Sequence, residues 1–123
     1  MAGTIVADTI QDGAGNSTSM DNAIYGSAKA WVNFLGTNGT RNASYNVSSV
    51  TLNSTGNWTI AFTNSLADGN YCPVVGSAFF GTSTAGGISF GSLSLTTTSF
   101  NFQTAVGNAN YTPATNIYIA VFR

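Results

Sequence analysis

From about residue 26 onward, polar and apolar positions alternate along most of the chain, and that period of two predicts strands. Residues 57–63 (NWTIAFT) show it most clearly, with Trp58, Ile60 and Phe62 on one face and Thr59, Ala61 and Thr63 on the other. Residues 28–34 (AKAWVNF) predict a strand carrying Trp31 and Phe34, and residues 47–52 predict the next. The Gly36–Thr40 stretch reads as a turn. Residues 53–56 join the strand at 47–52 to the one at 57–63, and Gly56 suits a short hairpin there. After the Asp68-Gly69-Asn70 turn, residues 71–80 predict a strand whose Pro73 lacks a backbone donor. That strand therefore lies at a sheet edge or opens on a bulge. Residues 88–95 and 98–104 predict another pair, with Phe100 and Phe102 alternating with Asn101 and Gln103. In residues 116–123, Ile117, Ile119 and Val121 oppose Tyr118, Ala120 and Phe122. Apolar side chains on both faces place this strand centrally, or against another subunit. No stretch carries a helical period of 3.6. The fold expected is all-β: a single antiparallel β-sandwich, or jelly-roll-like domain, over residues 26–123.

Residues 1–25 break the pattern. Residues 4–10 support one short strand, and residues 11–19 are rich in Gly, Ser and Asn with no apolar period. Asp8, Asp12 and Asp21, three of the four acids, lie here. Such a segment cannot build a core alone, so it reads as an extended N-terminal arm that gains order by docking. The candidate docking residues are Thr4, Ile5, Val6, Asp8 and Ile10.

Charged residues make up only 6% of the 123, against ~25% in a typical domain. Ser, Thr, Asn and Gly take their place, and uncharged polar groups are cheaper to bury than charges. Depletion of charge is a mark of interfaces, which favours assembly with other subunits over a neutral monomer. The net charge is −1, and Lys29, Arg41 and Arg123 are the only cations. Three scattered cations make no phosphate-tracking groove, which argues against nucleic acid and against an anionic membrane surface. No apolar run approaches the ~20 residues of a membrane span, and the opening residues have no signal-peptide pattern. The single cysteine, Cys72, has no intrachain partner and reads as a buried small hydrophobe.

Candidate chemistry is sparse. There is no histidine and no glutamate, so the usual general base, zinc ligand and triad centre are missing. Three acids in an arm and one, Asp68, in a turn do not make a rigid carboxylate pair. Asp12 to Asn16 has a faint likeness to a calcium loop but lacks its ligand spacing, and Gly86-Gly87 has no following Lys to cradle phosphate. The expectation is no enzyme, no cofactor and no metal. The Asn-x-Ser/Thr triplets at Asn16, Asn38, Asn42, Asn46, Asn53, Asn57 and Asn110 follow from a composition rich in those residues. Trp31 and Trp58 read as core anchors. Tyr45, Tyr71 and Tyr111, set beside Asn or Ser in turns, are the candidates for surface recognition.

One stretch adds to this. Gly26-Ser27-Ala28-Lys29-Ala30-Trp31-Val32-Asn33-Phe34 resembles the opening, GSAKAWVNF, of a module of phage tail-fibre-type proteins, many of them marine. The likeness continues through residues 36–41, 45–50, 55–62 and 67–71, and includes the terminal Ile119-Ala120-Val121-Phe122-Arg123 and the opening Met1 to Thr9. It departs at Leu35, and residues 77–113 match no part of that pattern, which marks them as a variable, target-facing region. The resemblance implies a β-rich virion appendage, commonly a homotrimer. Such a protein is made in the host cytoplasm and carried on the virion exterior. Its implied partners are its own copies, capsid or tail proteins through the arm, and a host-surface glycan or receptor. At this length a short spike, a head fibre or a capsid decoration protein fits better than a long fibre; a free-standing glycan-binding sandwich is the alternative.

Overall fold

The structure, a computed structural model, describes residues 3, 5–78, 94–104 and 115–123. The body is an all-β sandwich of two four-stranded antiparallel sheets. One sheet holds β3 (Ala28–Leu35), β4 (Arg41–Tyr45), β7 (Cys72–Ala78) and β10 (Asn116–Phe122), in the order β4-β3-β10-β7. The other holds β5 (Val47–Ser54), β6 (Asn57–Phe62), β8 (Ser94–Leu95) and β9 (Ser99–Gln103), in the order β5-β6-β9-β8. β10 lies between β3 and β7, the central place its two-sided apolar pattern predicts. β7 is an edge strand, as Pro73 requires. The 88–95 and 98–104 pair appears as β8 and β9, of which only Ser94–Leu95 is described for the first.

Alternation supplies the core. Ala30, Val32 and Phe34 from β3 and Ile117, Ile119 and Val121 from β10 face Trp58, Ile60 and Phe62 from β6 and Phe100 and Phe102 from β9. Phe34 meets Trp58 edge-on between the sheets, with ring centroids 5.0 Å apart. At about 25 cal/mol per Å² of apolar surface buried, side chains of this size dominate the stability of a small domain.

The turns follow local chemistry. Gly56 (φ +72°) closes the β5–β6 hairpin, and Gly39 (φ +77°) closes the β3–β4 turn, where Gly39 N–H donates to Leu35 O at 2.8 Å. Asn46 (φ +53°) carries the chain from β4 in one sheet to β5 in the other. β4 has no counterpart among the predicted strands. All five of its residues are exposed, so it carries no period, and it is held by pairing with β3 and by Arg41, which donates to Val47 O.

The arm departs from expectation in detail. β1 (Thr9–Gln11) and β2 (Ser17–Ser19) form a small hairpin, and α1 (Met20–Gly26) follows it. The helix departs from the reading of residues 1–25 as a short strand and loop, while the sandwich over residues 26–123 is all-β as expected. Seven residues are too few to display a helical period; the local signal is the cap, where Ser19 Oγ accepts from Asn22 N–H at 3.2 Å and Asp21 sits in the first turn. No residue of α1, β1 or β2 is buried, and the arm contributes nothing to the core.

Candidate functional site

The two outer faces of the sandwich differ in chemistry. On the β5-β6-β9-β8 sheet, Asn53 Nδ2 donates to Asn57 Oδ1 at 3.0 Å and to Thr59 Oγ1 at 2.8 Å. Asn101 Nδ2 donates to the same two atoms at 2.8 and 3.2 Å. This face is a neutral lattice of amides and hydroxyls that satisfy one another.

The outer face of the β4-β3-β10-β7 sheet is aromatic. On β3, Ala30, Val32 and Phe34 point inward, so Lys29, Trp31 and Asn33 point outward. The registers set Tyr45, Trp31, Ala120 and Val74 in one row across four strands, and Ala43, Asn33, Tyr118 and Gly76 in the next. Trp31 is 41% exposed and Tyr118 45%. The small residues Ala120, between Trp31 and Val74, and Gly76, beside Tyr118 on the edge strand, leave space on the face. The result is an open groove of about 310 Å³, bordered by Trp31, Asn33, Val74, Gly76, Tyr118 and Ala120.

The groove carries no charge. Lys29, on the same face, turns its ammonium to Ile24 O and to Ser27 Oγ. Arg41 donates to Val47 O at 2.6 Å. The lining is almost wholly apolar; Asn33 stands at its border, where Asn42 Nδ2 donates to Asn33 Oδ1 at 3.2 Å, and the Asn33 side-chain N–H groups have no partner among the described residues.

The predicted recognition tyrosines separate. Tyr45 is exposed on β4, opposite Trp31, and belongs to the aromatic row. Tyr71 is corrected to a core residue at 5% exposure. Its ring packs edge-on against Phe62 (5.7 Å) and Phe100 (6.4 Å), and its hydroxyl can donate to Thr96 O or Ser99 O, each at 3.0 Å. Burial pushes its pKa above the ordinary tyrosine value. Tyr111 lies outside the described residues, as do Gly86 and Gly87. Trp58 is the buried anchor expected, whereas Trp31 is corrected to the surface. Strand parity could have placed it there, since Trp31 shares a face with Lys29 and Asn33. Tyr118 gave the same signal on β10, opposite three inward apolar residues. Cys72 is also corrected: its thiol is free and exposed, on an outward position of β7 opposite Phe122.

Among the docking candidates, Ile5, Val6, Asp8 and Ile10 are all exposed, and Thr4 lies outside the described residues. The backbone carbonyl of Asp8 accepts from Met20 N–H at 2.8 Å, tying the hairpin to α1. Asp12 is satisfied within its own turn, accepting from Ala14 N–H, Asn16 N–H and Asn16 Nδ2, each at 2.9 Å. The Asn16 side chain in particular holds the Asp12 carboxyl below the usual carboxylate range. Asp68 accepts from Asn70 N–H at 2.8 Å and pairs with Arg123, and its pKa is lowered by both, the Asn70 bond foremost. Among the described residues, no three of His, Cys, Asp and Glu come together, and no helix is long and apolar enough to cross a membrane.

Fold and surface together define a class: an all-β sandwich with an aromatic, uncharged groove on one outer face and a neutral polar lattice on the other. No family model, curated protein or solved structure matches the chain.

Proposed function

We propose that the chain is a non-enzymatic structural protein of a bacteriophage virion, a short surface appendage of tail-fibre or head-fibre type that aids attachment to the host. The arm docks on a capsid or tail protein, and the sandwich projects outward, grouped with its copies as a trimer. The observation that carries this reading is the arm's unspent apolar surface. Ile5 is 85% exposed and Val6 94%, and Ile10, Ile24 and Tyr25 on the hairpin and helix are also exposed. A hairpin of three-residue strands and a two-turn helix are marginal by themselves. Apolar side chains displayed on so slight a scaffold suit a partner that covers them. The scarcity of charge and the resemblance of residues 26–34 to the tail-fibre-type module support the same reading.

Deletion of residues 2–20 tests it. Every residue of the core cluster lies at Ala30 or beyond, so the sandwich is expected to keep its melting temperature. Phage carrying the deletion should assemble particles that lack the protein. Normal incorporation would remove the docking role.

A further inference from the structure

We propose that the groove on the outer face of the β4-β3-β10-β7 sheet binds a neutral hexopyranose unit of a surface glycan, with Trp31 and Tyr118 packing on the sugar and Asn33 donating to its hydroxyls. The inference deepens the attachment reading and rests on it for the glycan's source.

The argument is one of chemical fit. A pyranose ring has an apolar face of C–H groups and a rim of hydroxyls. It needs flat apolar contact on one side and a few hydrogen-bonding groups beside it. Trp31 and Tyr118 offer half-exposed aromatic surface on neighbouring strands, and each also has a polar tip suited to a wet interface. Ala120, beside Trp31, and Gly76, beside Tyr118 on the edge strand, leave the space a ring would fill. A volume of about 310 Å³ suits one sugar with part of its neighbour, at the small end of ligand sites. Asn33, its oxygen occupied by Asn42, has N–H groups free for a hydroxyl oxygen. No cation lines the groove to pair with a uronate or sialate; Lys29 and Arg41 direct their charged ends to Ile24 O and Val47 O. That selects neutral sugars.

A second copy fits less well. Two-fold pairing through this face would set groove against groove and enclose a void, which forfeits the packing that stabilises an interface. An extended peptide would add to the open edge of β4 or β7, where unpaired backbone groups lie, in preference to crossing the face.

The test uses the full chain. Maltohexaose, cellohexaose, laminarihexaose and mannohexaose are titrated by calorimetry, with oligogalacturonate as the charged comparison. The variants are Trp31→Ala, Gly76→Val and, on the opposite face, Thr51→Ala. A Cβ on Gly76 meets nothing within 4 Å, so Gly76→Val narrows the groove without a clash in the protein. At least one neutral oligosaccharide is expected to bind. Trp31→Ala and Gly76→Val should each weaken it about tenfold or more, equivalent to about 1.4 kcal/mol. Thr51→Ala should change nothing. Three results overturn the inference: no neutral sugar binds at millimolar concentration, oligogalacturonate binds instead, or Trp31→Ala lowers the solution mass by light scattering, which would mean that a second copy covers the face. None of these touches the arm, so loss of sugar binding and loss of particle incorporation remain separable.

Discussion

At the scale of single residues, the two tryptophans show how one residue type takes opposite roles. Trp58 is fully buried against Phe34, and its indole Nε1 has no hydrogen-bond partner among the described residues. A buried donor left unsatisfied costs about 1–3 kcal/mol. Trp58→Phe therefore loses volume but also relieves that cost, and is expected to destabilise by less than about 2 kcal/mol, whereas Trp58→Ala should lose about 3–5 kcal/mol. Urea titration of both variants measures the difference. Equal losses would show that the indole N–H contributes something phenylalanine cannot replace. Gly39 belongs to the same packing, since a Cβ there would come within 3.0 Å of Trp58 Cζ3. The burial of Trp58 was legible because its neighbours Ile60 and Phe62 share its parity. Trp31 is outward because Ala30, Val32 and Phe34 define the inward face of β3, so the alternation that buries Trp58 exposes Trp31.

Among elements, strands with one buried side were legible and those without were not. β6, β9 and β10 announce themselves by alternation, and Pro73 marks β7 as an edge. β4 is exposed at every position and exists because the 36–40 turn returns it to β3, so nothing in residues 41–45 alone reveals it. The groove was hidden for a related reason: it joins Trp31 to Tyr118 and Gly76 through pairings distant in sequence. The crossover from β4 to β5 depends on one side chain. Asn46 takes a left-handed conformation, donates to Lys29 O (3.1 Å) and Asn64 O (3.2 Å), and accepts from Asn64 N–H at 2.7 Å. Asn46→Ala loses these bonds and strains the backbone, and is expected to cost about 2–3 kcal/mol. Asn46→Gly keeps the conformation but not the bonds, and should cost about 1–2 kcal/mol. Thermal melts of the two rank the contributions. Wild-type stability in both would mean that the crossover is set elsewhere.

For the whole molecule, the scarcity of ionisable groups predicts how stability depends on pH. With no histidine, no side chain has an ordinary pKa near ~6.5. Asp68 and Asp12 both titrate below the ordinary carboxylate range when folded, Asp68 through Asn70 N–H and Arg123, Asp12 through Asn16. A carboxyl whose folded pKa is depressed stabilises the protein above its unfolded value near ~4, and that contribution is lost as pH falls through the folded value. Tyr71 has the opposite sign. Its folded pKa is raised by burial, so its contribution is complete below the unfolded value near ~10 and is lost as pH rises beyond it. The stability curve is therefore expected to be a plateau from about pH 5 to about pH 9, with a fall on each side. Each limb has its own variant. Asp68→Asn should shrink the acid limb to the part that Asp12 supplies and leave the alkaline one. Tyr71→Phe should flatten the alkaline limb, at a cost of about 1 kcal/mol on the plateau for the lost bond to Thr96 O or Ser99 O. Urea titrations across the pH range measure all three curves. A step near neutrality in the wild-type protein would contradict the assignment, because no histidine exists to produce it.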